Sequence, residues 1–229
     1  MANEIISYIE MCRREGASLQ QGMNFFTDRD HSVILMSVQP NAPYRDRIED
    51  DGETLIYEGH DAPRRNGGPD PKRVDQLGTS PSGQLTQNGR FDQAAAAHKR
   101  GGRSPRVVRV YEKLRPGIWS YNGSFHLVDS WPEHDGARKV FKFKLRAIAD
   151  SDGAVVVADG DFEHRRLIPA RVKLQVWQRD RGKCVKCGAS DGLHFDHVLA
   201  FSRGGASVTA ANVQLLCARH NLSKGSKLE

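Results

Sequence analysis

The chain of 229 residues contains no run of about 18 apolar residues, which excludes a membrane-spanning helix. Its first residues, MANEIISYIEMCRREG, lack the basic start, the long apolar stretch and the small-residue cleavage site of a secretory leader. The expectation is therefore a soluble, cytoplasmic protein. Cysteine is scarce: Cys12, Cys184, Cys187 and Cys217 are all there are, and three of them crowd into one short region. Such usage in an intracellular chain argues against a disulfide framework. Aromatic residues are only 7% of the chain, and no internal repeat or low-complexity tract appears beyond four consecutive alanines. What is present is ordinary globular material, 38% hydrophobic and 27% charged, in a length that suggests two modules.

The net charge of +6 is unevenly placed. Residues 161–229 hold 12 Lys and Arg against 6 Asp and Glu, whereas the first 160 residues hold 22 of each. A basic module beside a neutral one points to a polyanion as partner, or to nothing more than a basic soluble surface.

Hydrophobic spacing predicts a short amphipathic helix over 3–15 from Ile5, Ile6, Ile9 and Cys12, packing on the following module or on a second copy. Strands are expected at 32–38, 54–59, 105–112, 124–131 and 138–147, and a helix at 91–99. The segment 60–90, rich in Gly, Pro, Asn, Asp and Ser, reads as a long functional loop. The acidic, glycine-containing stretch 149–164 marks a linker, after which Pro169 opens a helix that Gly182 ends. The domains are thus placed at 1–148 and 165–229.

The sharpest local signal is Cys184-x2-Cys187 followed after about thirty residues by Cys217-x2-His220. Two pairs of soft ligands at this spacing suit one closed tetrahedral zinc site. With four protein ligands no position remains for water, so such a zinc is structural.

Between the pairs stand His194, Phe195, Asp196 and His197, then Asn212, with Asn221 just after the second pair. The strings RDRGKCVKCG, HFDHVLAFSRGG and NVQLLCARHNLSKG over residues 165–227 resemble the HNH nuclease family. The resemblance implies a ββα-metal domain with a zinc knuckle pair. It implies His197 as general base, Asp196 and Asn221 as ligands of a catalytic Mg2+ or Mn2+, and Asn212 as the brace of the loop that carries His197. A hard divalent cation and a base near neutral pKa are what phosphodiester hydrolysis needs. His194 is either a second contact in that site or a strand histidine. Two departures are visible: His220 stands where many members have Cys, and Asn221 where many have His.

The neutral module is similar to the SRA family, readers of modified cytosine in DNA. The matching stretches are SVILMSVQPNAPYRDRIEDDG, TLIYEGHD, QLTQNGRFDQAAAAHKRG, PRVVRVYE and GIWSYNGSFHLVDSWPE, within residues 31–148. The resemblance implies a curved β-barrel that takes a flipped base. Flipping costs a few kcal/mol, which stacking and hydrogen bonds must offset. Tyr44 and Tyr57 match the two aromatic walls, though each alone would serve equally as a core aromatic. Asp46 matches the carboxylate that accepts from the cytosine N4 amino group, where thymine offers only an acceptor. Glu58 stands where eukaryotic members have Thr, and Ser37 and Val38 border the 5-substituent. Arg64, Arg65, Lys72, Arg73, Lys99, Arg100 and Arg103 lie in the loops that would meet the DNA backbone.

Together the two resemblances imply an α+β protein: an SRA-like barrel with flanking helices, joined to an HNH domain. The implied activity is modification-dependent restriction, cutting DNA that carries 5-methylcytosine or a related base, in a bacterial-type cytoplasm. The alternatives are a non-specific or repair HNH nuclease, a reader with an inactive nuclease domain, and a sequence-specific zinc protein. A single HNH site cuts one strand, and burying one methyl contributes only ~0.8 kcal/mol. A homodimer is therefore expected, through the N-terminal helix, the segment near 155–157 or the nuclease module.

Overall fold

The computed structural model describes residues 3–39, 42–49, 53–64, 66–148, 167–199 and 209–224. The linker at 149–164, Arg65 and the segment near 155–157 lie outside them. The architecture is mixed α+β, built on one large sheet.

The N-terminal segment departs from the expected helix. Its first part is strand β1 (Glu4–Ser7), and only Tyr8–Glu15 form helix α1. The neighbouring β-branched Ile5 and Ile6 favour extended backbone, and Ser7 starts the helix through a reciprocal capping box with Glu10. Then follow β2 (Met23–Asn24), β3 (His31–Met36), β4 (Arg47–Ile48) and β5 (Thr54–Glu58). Helix α2 (Gln87–Lys99) begins four residues before the expected start, because Thr86 caps it by accepting from Gly89 N at 3.2 Å. Strands β6 (Arg106–Arg115), β7 (Ile118–His134) and β8 (Lys139–Ala147) complete the front part. After the linker come α3 (Ala170–Arg179), β9 (Leu193–His197), β10 (Val213–Cys217) and α4 (Ala218–Lys224).

The sheet runs β10-β9-β1-β7-β6-β3-β2, with β8, β5 and β4 continuing from β7. The seventeen-residue β7 is its spine. It pairs along one side with β6, and along the other first with β1 and then with β8. Irregular register at Val110/Tyr111 and at Leu127/Asp129 lets so long a strand bend between these partners. β1 is bonded on both sides, to β7 over four residues and to β9 through Glu4 opposite His194.

Two main cores lie on this sheet. The front core holds Ile34, Leu55, Tyr57, Phe125, Phe143 and Leu145, covered by Phe91 of α2, which packs edge-on to Phe25 at 5.3 Å. Burying a side chain of this kind contributes ~1.5–3 kcal/mol. The rear core joins Val172 and Val176 of α3 to Phe195, Val213 and Leu215, and borrows Leu114, Ile5 and Ile118 from the front strands. Between the cores Lys173 of α3 is fully buried. Its ammonium meets Glu112 of β6 at 2.8 Å and Asn122 Oδ1 of β7 at 2.6 Å.

Candidate functional site

A cleft of about 660 Å³ opens between the end of β3, the segment 42–46 and the turn after β5. Ser37, Tyr44, Asp46 and Tyr57 line it together, with Tyr8, Gln21, His60 and Trp119. Four of the six residues singled out for a base pocket thus meet in one place. The other two do not line it. Val38 packs against the front core, and Glu58 is buried beneath, ion-paired with Lys142 at 2.8 Å. Glu58 supports the site from behind by accepting from Arg45 N at 3.2 Å.

Among the described residues, Asp46 accepts hydrogen bonds from main chain only. One carboxylate oxygen accepts from Ser37 N at 3.2 Å and the other from Glu58 N at 3.0 Å. Burial raises its pKa to about 7, against the pull of those two N–H groups, with the Glu58 charge adding to the rise. Each oxygen keeps a lone pair for a ligand's N–H. Tyr57 is 1% exposed; its ring belongs to the front core, and it reaches the cleft at its hydroxyl end. Tyr44 is half-buried. The His60 ring stacks on it at 5.2 Å and 12°, and Lys72 Nζ lies 4.1 Å from its centroid.

Of the basic residues expected on DNA, Lys72 lies against Tyr44 at the cleft, while Arg100 and Arg103 line a separate cavity with Phe25 and Asp30. Arg64, Arg73, Arg100 and Arg103 are exposed. Lys72 and Lys99 are already ion-paired, with Asp61 at 2.9 Å and Asp129 at 2.7 Å. Any phosphate contact by these two lysines competes with a carboxylate.

In the rear module the four soft ligands converge. Their ligand atoms lie within 4.8 Å of one another. A tetrahedral zinc requires about 3.8 Å between sulfurs and about 3.5 Å between sulfur and nitrogen, from its ~2.3 and ~2.0 Å bonds. Cys187 Sγ to Cys217 Sγ is 3.9 Å, and His220 Nδ1 is 3.4 Å from both Cys184 Sγ and Cys217 Sγ. The cluster can hold a metal such as zinc. Burial raises the Cys184 thiol, but backbone hydrogen bonds from Cys217, Lys186 and Cys187 prevail and bring it down to about 6. The thiolate form that a metal takes is favoured in advance.

β9, β10 and α4 form a ββα unit, with Asp196 and His197 at the end of the first strand and Asn221 on the helix. Asn212 pins the residues after His197: its Oδ1 accepts from Leu199 N at 2.8 Å and its Nδ2 donates to Leu199 O at 3.3 Å. Burial pushes the His197 imidazole below its ordinary pKa, with Asp196 opposing and Lys224 reinforcing. His194 is buried in the middle of the sheet, opposite Leu216 and Glu4.

One oxygen of Asp196 is already engaged. Its Oδ2 accepts from Lys224 Nζ at 2.6 Å and from Gln214 Nε2 at 3.2 Å, and the same ammonium donates to His197 O. A cation at Oδ2 would have to displace a buried ammonium. Lys224 and His60 are the two site residues that sequence reasoning missed. Neither belongs to a spacing motif, since each acts on a residue brought close only by folding.

No family model matches the chain, and no curated protein matches it. Solved structures do. The SRA domain of SUVH5 with hemimethylated CG DNA is 23% identical over 66% of this chain and 89% of that one, at TM-score 0.46. The same domain bound to fully hydroxymethylated CG DNA is 21% identical over 66% and 89%, at 0.45. SUVH6 of Arabidopsis thaliana with SAM is 17% identical over 66% of this chain and 25% of that one, at 0.40. Likeness at these values carries no weight for what this chain does, and the case rests on the geometry of its own residues. No helix among the described residues is long and apolar enough to cross a membrane.

Proposed function

We propose that this chain reads modified cytosine in double-stranded DNA by taking the flipped base into the cleft beside Asp46, and that its rear module is a metal-dependent endonuclease. Together these make a modification-dependent restriction enzyme of the SRA–HNH type. The supporting observation is Asp46: a carboxylate in a concave site, oriented by two backbone N–H groups and beside the flat ring of Tyr44. It accepts from the N4 amino group of cytosine and finds no such donor on thymine. Tyr44 supplies stacking, worth ~1–3 kcal/mol per base. His197 is the proposed general base, held on a strand end that Asn212 braces. The zinc holds the two knuckles together and takes no part in the chemistry.

A second reading, binding without cleavage, is favoured by the ion pair of Lys224 with Asp196. One experiment separates the two: gel shift and cleavage on matched methylated and unmethylated duplexes, with added Mg2+ or Mn2+ or with neither. The proposal expects methylated DNA to be both preferred and cut, and His197→Ala to bind it without cutting. Preference without cutting by the unaltered chain supports the second reading. Equal binding of both duplexes refutes the pocket, and equal cutting of both indicates a non-specific nuclease. A homodimer, which would give both strand cuts and a doubled check on the modification, shows as a mass of twice 25.5 kDa in light scattering.

A further inference from the structure

His60 follows β5 at the turn that closes the cleft, and everything around it fixes its place. Asn88, in the first turn of α2, clamps its main chain from both directions. His60 N donates to Asn88 Oδ1 at 2.8 Å, and Asn88 Nδ2 donates to His60 O at 2.8 Å. Gly59 beside it cannot carry a side chain, because a Cβ there would come within 2.7 Å of both Asn88 Oδ1 and Gln76 Oε1. Gly22 across the cleft is under the same constraint, with a Cβ falling 2.6 Å from His60 Nε2. So constrained, the imidazole lies parallel to Tyr44 and puts Nε2 3.0 Å from the Tyr57 hydroxyl.

That contact bears on the tautomer. The other acceptor near the Tyr57 hydroxyl is Leu35 O at 3.5 Å, which is long for an O–H donor. We assign the phenol proton to the bond with Nε2, which leaves the imidazole proton on Nδ1. Burial holds this imidazole near a pKa of about 4, with Asp61 opposing and Lys72 reinforcing, so it is neutral at neutral pH. Its Nδ1 makes no hydrogen bond among the described residues. Parallel rings 5.2 Å apart are offset, so His60 covers only part of the Tyr44 face. A flat base stacked on the remainder would lie in the plane of His60, the plane that also holds the ring N–H.

We propose that His60 is a specificity-determining residue of the cleft, its Nδ1–H donating to N3 of a cytosine stacked on Tyr44 while Asp46 accepts from N4. The proposal rests on reading the cleft as a modified-cytosine pocket. The pairing is an acceptor followed by a donor, complementary to the N4–N3 edge of cytosine and mismatched at both positions to thymine, which offers O4 and N3–H.

The test is binding by fluorescence anisotropy, with the full chain and no added divalent cation. The duplexes carry cytosine, 5-methylcytosine or 3-deaza-5-methylcytosine at one position, opposite an abasic site so that loss of N3 breaks no base pair and leaves the cost of flipping unchanged; the last has C–H in place of N3. The unaltered chain should bind the deaza duplex about tenfold more weakly than its parent, the size of one neutral hydrogen bond. His60→Phe keeps a flat ring without the N–H and should bind both alike, at the weaker level. His60→Gln restores a donor and should recover part of the loss, which keeps the test decisive if the phenylalanine variant folds poorly. Equal binding of the deaza and parent duplexes by a chain that still prefers 5-methylcytosine over cytosine overturns the role of His60 alone. So does a deaza penalty that persists in His60→Phe. Absence of any preference for 5-methylcytosine overturns the pocket itself, and this role with it.

Discussion

In the front cleft the carboxylate of Asp46 meets two backbone N–H groups, and no cation hydrogen-bonds it among the described residues; in the rear module Asp196 meets the ammonium of Lys224 at 2.6 Å. Both residues sit where a ligand is expected, and the chain treats them oppositely. Asp46 is left to bear its own desolvation, which shows in a pKa near 7. A group kept costly in the free protein gains most when a ligand's donor arrives, and sites that pre-pay this way bind selectively. Asp196 has been satisfied from within. In the free chain the front carboxylate is therefore without a cationic partner among the described residues, whereas the rear one has Lys224.

The largest test of this contrast is removal of the metal cluster that frames the rear site. Structural zinc supplies on the order of 10 kcal/mol of folding free energy. Cys184→Ser should lose bound zinc, measured by elemental analysis, and unfold β9, β10 and α4, measured by amide hydrogen exchange. The front cleft should keep its preference for methylated DNA. A variant without zinc whose rear strands exchange as slowly as before would show the cluster to be incidental.

Next is Lys224→Met. The side chains of Lys224 and Asp196 are 2% and 16% exposed, so removing the ammonium leaves a largely buried charge. The expected loss is about 3 kcal/mol in chemical denaturation. Millimolar Mg2+ should then raise the melting temperature of the variant more than that of the parent, because the variant frees Oδ2. An identical response in both would erase the distinction between the two sites.

The smallest effect is at Asp46, and its sign is opposite. The folded-state pKa lies above the unfolded value, so the native state resists ionisation. The group costs nothing at low pH, where both states are protonated, and destabilises the fold progressively as pH rises from about 4 to about 7. Asp46→Asn removes the titration, but at a pH-independent cost, because its Nδ2 faces one of the two backbone N–H groups. Its stability relative to the parent should therefore rise by on the order of 1–3 kcal/mol from pH 4 to pH 7, while the preference for cytosine over thymine is lost. A stability difference independent of pH would mean that Asp46 is ionised without penalty.

What could be read from the sequence was whatever a short spacing encodes. The two Cys/His pairs announce their cluster because each knuckle is local, and folding only brings the pairs together. The strands and α2 were visible as apolar runs between turn residues. Residues 4–7 depart from the expected helix, since Ile5, Ile6 and Ile9 satisfy a helical period and the partners that hold Glu4–Ser7 extended lie more than a hundred residues away. Lys224, 28 residues from Asp196, is likewise brought to it only by folding. In the cleft, Tyr44, Asp46 and Tyr57 were found through family resemblance, whereas His60 stands out only once Tyr44 is stacked on it.

The doubly paired β1 has a consequence for synthesis. This strand leaves the ribosome ahead of both its partners, one of which begins at Ile118 and the other at Leu193. At ~5–20 residues per second, the second partner emerges roughly ten to forty seconds later. For that interval a short apolar strand waits with an unpaired edge, the condition under which nascent chains pair with one another. The opening pair Ile5-Ile6 is thus a point of exposure during biogenesis, and chaperone capture of the nascent chain should be strongest before residue 197 has cleared the exit tunnel.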